Sequence, residues 1–115
     1  MVTADDIRRV ALSLPRAYEA LVRDRVKFRV GRIVFVALSR DEQMMGCGFP
    51  REERAAAVAA YPEKFVMPAA RDMRYQWIEV RVSAIDVEEM RDLVTDAWRM
   101  CVPKSVARTY DERPG

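Results

Sequence analysis

The chain has 115 residues, half of them hydrophobic and a third charged, which is enough for one core in one domain without disulfide or metal staples. Its 20 Lys and Arg against 18 Asp and Glu leave a net charge of only +2, so affinity for a polyanion must come from uneven placement of charge. Histidine is absent, which removes the usual general base at neutral pH and the commonest metal ligand, and with them most hydrolase and many metalloenzyme chemistries.

Cys47 and Cys101 are far apart and form no C-x-x-C pair, so the expectation is two free structural thiols in a reducing, cytoplasmic setting. The longest apolar runs, such as Ile33 to Leu38, are too short to span a bilayer, and the N-terminus lacks a secretory pattern. No membrane partner and no cofactor are expected.

In chain order, Thr3 and Asp6 read as an N-cap and its acidic first turn, and Ile7, Val10, Ala11 and Leu14 recur at helical spacing, predicting a helix over 4–14. Pro15 ends it. From Tyr18 the period shifts to two, with Val22, Val26, Phe28 and Val30 alternating with polar neighbours in one half-buried strand. Gly31-Arg32 then closes a hairpin onto a central strand, Ile33 to Leu38. A turn at Ser39 to Glu42 leads to a third strand, Gln43 to Phe49, where Gly46 and Gly48 suggest a bulge or a close approach by another segment.

Pro50 suits the first turn of a second helix running through Arg54 to Ala60, with Arg51, Glu52, Glu53 and Arg54 as surface pairs. Phe65 to Met67 reads as a short strand and 68–74 as a surface loop. Tyr75 to Ile85 alternates cleanly, Ile78, Val80, Val82 and Ala84 facing in, and Trp77, Glu79, Arg81 and Ser83 facing out. Asp86 and Glu89 then cap a third helix whose buried stripe is Met90, Leu93, Val94, Ala97 and Cys101, flanked by Trp98. A last helix follows Pro103 through Tyr110, and residues 111–115 are expected to fray. Tight hairpins and no regular β-α alternation predict an α+β fold, an antiparallel sheet with helices packed on one face and the other face open.

The sharpest functional feature is the run 23–32, where Arg23, Arg25, Lys27 and Arg29 fall two apart and Arg32 follows at the turn, against the single acid Asp24. Period two places the row on one strand face. A solvated strand face needs polar residues in any case, but one sign so close together repels itself without a partner. A basic two-stranded ribbon suits the DNA major groove. Trp77, sharing a face with Glu79 and Arg81, is the second candidate, as a stacking platform for a base, as an anchor for a protein interface, or as a satellite core residue tucked under the 68–74 loop. Lys104, with Ser105 and Arg108, starts the last helix and offers a weak anion site.

Several ordered motifs, Ala11-Leu-Ser-Leu-Pro15, Lys27-Phe-Arg-Val-Gly-Arg-Ile-Val-Phe35, Gln76-Trp-Ile-Glu-Val80 and Ala97-Trp98 with Val102-Pro-Lys104, together resemble the MmcQ/YjbR family over nearly the whole chain. The resemblance implies a CyaY-like α+β fold, similar to the bacterial frataxin homologue, and DNA binding through a double-wing motif. Two positions depart from the pattern: Gly31-Arg32 stands where a Gly-Lys tip is usual, and Gln76 where a glycine usually precedes the tryptophan. Frataxin-like iron handling would need an acidic ridge on the first helix; Asp5 and Asp6 are followed by Arg8 and Arg9, so no metal site is expected.

The reading from sequence is therefore a non-enzymatic DNA-binding protein, with double-stranded DNA as partner and Arg25, Lys27, Arg29, Arg32, Trp77, Arg81 and Lys104 as the binding residues. A protein-interaction or small-ligand module using the open sheet face is the alternative.

Overall fold

A computed structural model describes residues 1–112. Helix α1 spans Ala4–Ser13, capped as the sequence predicts: the Thr3 hydroxyl accepts from the Asp6 N–H while the Asp6 carboxylate accepts from the Thr3 N–H. Four strands follow, β1 (Ala17–Val22), β2 (Arg25–Val30), β3 (Ile33–Leu38) and β4 (Met44–Gly48), each antiparallel to the one before. Helix α2 (Arg51–Ala60), the two-residue strand β5 (Phe65–Val66) and a 3₁₀ turn at Ala70–Asp72 lead to β6 (Trp77–Arg81). A second 3₁₀ turn, Val82–Ala84, precedes α3 (Val87–Arg99) and α4 (Lys104–Glu112). Residues 111–112 thus extend α4, and 113–115, the rest of the expected frayed tail, lie outside the described residues.

The sheet order is β1-β2-β3-β4-β6-β5, all pairs antiparallel. The expected α+β architecture holds: helices cover one face, and Phe28, Phe35, Val36, Leu38, Met45, Cys47, Ile78 and Val80 bury against them. The central placement of β3 holds as well. Its partner register slips between Phe28 and Arg29, because Val36 faces Phe28 while Val34 faces Arg29. Phe35 is the extra residue, and this bulge lets adjacent Phe35 and Val36 both bury.

Three local readings change. The predicted single strand from Tyr18 to Val30 is two strands, because Arg23 and Asp24 both take positive φ, 51° and 66°, and turn the chain back. That is the backbone of a two-residue type I′ hairpin, built without glycine. The predicted strand Tyr75 to Ile85 is shorter at both ends, giving way to the 3₁₀ turn after Arg81. Trp98, predicted to flank the stripe of α3, is fully buried at its centre, and its Nε1–H donates to the Pro15 carbonyl at 2.8 Å. That bond joins the end of α3 to the turn after α1 and satisfies the indole N–H in the core.

Candidate functional site on the open sheet face

Strand alternation puts Arg25, Lys27 and Arg29 of β2 on the face away from the core residues Phe28 and Val30. Across the sheet, Ala37 lies opposite Lys27 and Val34 opposite Arg29; Gly46 lies opposite Ala37, and Glu79 opposite Gly46. A cavity of about 730 Å³ opens over this face. Arg25, Lys27 and Arg32 line one side, Val34 and Ala37 the floor, and Asp72, Tyr75, Trp77 and Glu79 the far wall. The charge is segregated, basic on β2 and its turn, acidic on β6 and the segment before it.

None of Arg25, Lys27, Arg29 and Arg32 forms a salt bridge among the described residues, whereas Arg8, Arg9, Lys64, Arg91 and Arg99 all do. Arg29 is half-buried and is not part of the cavity lining, and its Nε is buried without a hydrogen-bond partner among the described residues. Arg23 leaves the row, since it sits in the β1–β2 turn. Arg81 is exposed at the end of β6, opposite Met44, and lies outside the cavity lining. Lys104 begins α4, exposed and likewise outside the lining. The structure therefore gathers Arg25, Lys27, Arg32 and Trp77 around one cavity, keeps Arg29 on the same face, and leaves Arg81 and Lys104 apart.

Two functional features escaped the sequence reading. The first is Glu79. Its carboxylate accepts from Trp77 Nε1–H at 2.8 Å, and burial pushes its pKa above the ordinary carboxylate value; the Trp77 bond opposes that shift, Asp72 adds to it and Arg25 opposes it. The signal was present in the i, i+2 spacing that put a carboxylate beside Trp77 on the open face. The close approach that Gly46 suggested occurs here: a Cβ on Gly46 would lie 2.6 Å from Glu79 Oε2 and from the Trp77 ring. Gly46→Ala is expected to push this pair off β4 and cost about 1–3 kcal/mol, the usual range for overpacking, readable as a lower Tm together with altered indole fluorescence.

Glu79 also has a stability consequence with a definite sign. A carboxyl whose folded pKa is raised binds its proton more tightly folded than unfolded, so it favours the fold at pH below its unfolded value, about 4.3. That contribution is lost as pH rises through the folded value, and at neutral pH the charged group costs stability. Glu79→Gln keeps an acceptor for Trp77 and removes the charge. The variant is expected to be more stable at neutral pH, by less than about 1 kcal/mol after solvent screening, with the difference closing in acid. Thermal unfolding of both proteins across pH checks this.

The second feature is Arg54, read from sequence as one of a set of helix-surface pairs. It is instead buried on α2, where Nη1 donates to the carbonyls of Tyr75 and Trp77 and Nη2 to that of Met73, at 2.8–3.1 Å. One side chain thus holds the strand entry that carries Trp77. Gln76, at the position where the family pattern has glycine, has a use of its own: its Oε1 accepts from the Arg51 N–H, capping α2 where Pro50 offers no side-chain acceptor.

Burial pushes the Cys47 thiol up to about 12 and raises Cys101 as well, so neither is a ready nucleophile. No helix among the described residues is long and apolar enough to cross a membrane.

A crystal structure of Deinococcus radiodurans protein DR2400, which carries the family-model domain DUF419, superposes with a TM-score of 0.77, covering 99% of this chain and 91% of that one at 18% identity. At that identity the likeness is one of fold. No curated protein matches the chain. The family model described as YjbR matches residues 12–100, from the end of α1 through α3, and the chain belongs to the YjbR family.

Proposed function

We propose that the chain is a non-enzymatic DNA-binding protein that takes an unpaired strand across the open face of its sheet. The observation that carries this reading is the row Arg25, Lys27 and Arg32, unbridged by any carboxylate among the described residues and opening into one cavity beside Trp77. Basic side chains neutralise phosphates, and an aromatic wall gives bases an apolar surface; single-strand binders combine the two.

The sheet order argues for an unpaired strand over a duplex. The β2–β3 hairpin is paired on both sides, to β1 and to β4, so it is not a free ribbon able to enter a major groove. A concave face with a cavity of this size suits flexible bases better than a rigid double helix. The same concavity favours, as a second reading, a small anionic ligand in place of a strand.

Titrating labelled single-stranded and duplex oligonucleotides of one sequence at about 50 and 200 mM salt tests the proposal. The single strand is expected to bind more tightly. Three phosphate contacts on a single strand give a log–log salt slope near −2, a fall of roughly twentyfold between those concentrations. Absence of binding at the lower salt, or a clear duplex preference, would contradict it.

A further inference from the structure

Resting on that strand-binding reading, we infer that the Glu79 side of the cavity is a base-reading pocket selective for guanine. Glu79 sits opposite the basic row, with Val34, Ala37 and Trp77 lining the space between. One of its oxygens accepts from Trp77 Nε1–H; the other accepts no hydrogen bond among the described residues. Among the described residues no Lys or Arg makes a salt bridge to it. The structure therefore keeps a partly buried, acceptor-only group facing a space that a ligand can fill, with the Arg25 charge near enough to act on it but forming no ion pair with it among the described residues.

An ionised carboxylate accepts hydrogen bonds and cannot donate them, so the bases differ sharply as partners. Guanine presents two adjacent donors on its Watson–Crick edge, N1–H and the N2 amino group. Adenine and cytosine each place a ring-nitrogen acceptor beside their amino group, and thymine flanks its one N–H with two carbonyl oxygens. The neighbouring acceptors repel the carboxylate, and only guanine meets it with two adjacent donors, one for the free Oε1 and one for the lone pair that Oε2 keeps beside its bond from Trp77 Nε1–H. A phosphate of the same strand would meet Arg25, Lys27 or Arg32 on the opposite side, which matches the segregation of charge in the lining. Gly46 supports the arrangement from below, since a Cβ there would strike both Trp77 and Glu79.

The test uses the full chain and short oligothymidylates carrying one central dG, dA, dC or dT, titrated at low salt against the wild type and Glu79→Gln. The dG oligonucleotide is expected to bind about tenfold more tightly than the others, within the discrimination a good two-bond base contact supplies. In Glu79→Gln, whose amide has a single acceptor oxygen and a donor that clashes with guanine's donor edge, that preference is expected to disappear, read as the ratio of dG to dT affinity within each protein, whatever the change in overall affinity from removing a negative charge in the cavity lining. Equal binding of all four to the wild type would overturn the guanine pocket and leave the strand-binding reading standing. A guanine preference unchanged in Glu79→Gln would overturn the role of Glu79. Failure of every oligonucleotide to bind would overturn the strand-binding reading and this inference with it.

Discussion

Arg54→Met is expected to destabilise the domain by about 2–4 kcal/mol, the largest effect of any single polar substitution considered. The buried guanidinium donates to three backbone carbonyls, those of Met73, Tyr75 and Trp77, and hydrogen bonds to a charged group contribute about 1.5–3 kcal/mol each in favourable cases. Two effects reduce the sum. The charge is desolvated without a carboxylate partner, and some of the released carbonyls can find water, since Tyr75 is half exposed. Methionine recovers the packing of the stem but none of the bonds. Arg54→Lys retains the charge on a compact ammonium that cannot span all three carbonyls, and an intermediate loss is expected. Denaturant unfolding of the three proteins checks the order, and a methionine variant within about 0.5 kcal/mol of wild type, the usual scatter for surface substitutions, would contradict it. Loosening 73–77 also frees Trp77, so the lysine variant, if folded, is expected to bind DNA more weakly.

The second large effect concerns affinity. Arg25→Ala with Lys27→Ala removes two of the three cations lining the cavity. Because neither makes a salt bridge among the described residues, stability is expected to change little, with any shift upward as like charges on one face are removed. Losing two phosphate contacts should reduce the log–log salt slope by about 1.4 and lower affinity at least tenfold near 50 mM salt. Arg81→Ala and Lys104→Ala, which lie away from the cavity, are expected to change binding far less. Titration of the three variants at two salt concentrations separates these cases. A uniform loss across all of them would indicate bulk electrostatics in place of a defined face.

Much of the fold was legible because its signals are local. The Thr3–Asp6 box and the Asp86 cap on Glu89 N–H mark helix starts through hydrogen bonds within a few residues, and the prolines at 15, 50 and 103 mark helix ends and starts through their missing N–H and fixed φ. The turn at Arg23-Asp24 was not legible, because type I′ turns advertise themselves through Asn or Gly and only the tolerance of Asp for left-handed backbone hinted at one. That hidden turn matters to the site, since it removes Arg23 from the basic row. Arg54 was misread because its charged neighbours suggest a solvated surface. Its spacing to Ala57 and Val58, which pack against the core, would have turned it inward. For the site, the basic row and Trp77 were readable from period two. Their meeting around one cavity was not, because it depends on the β4–β6 pairing and on the absent side chain of Gly46, over which Trp77 and Glu79 lie.

The central claim is that ligand meets the open face of the sheet, and the two indole N–H groups provide a direct measurement. Trp77 Nε1–H is bonded to Glu79 at the cavity, and Trp98 Nε1–H to Pro15 in the core behind the sheet. Their two ¹⁵N–¹H resonances can be followed in one spectrum as single-stranded DNA is added at low salt. The expected result is a progressive shift of the Trp77 resonance while that of Trp98 stays in place. Saturable binding that leaves the Trp77 resonance unmoved would place the ligand elsewhere and contradict the account.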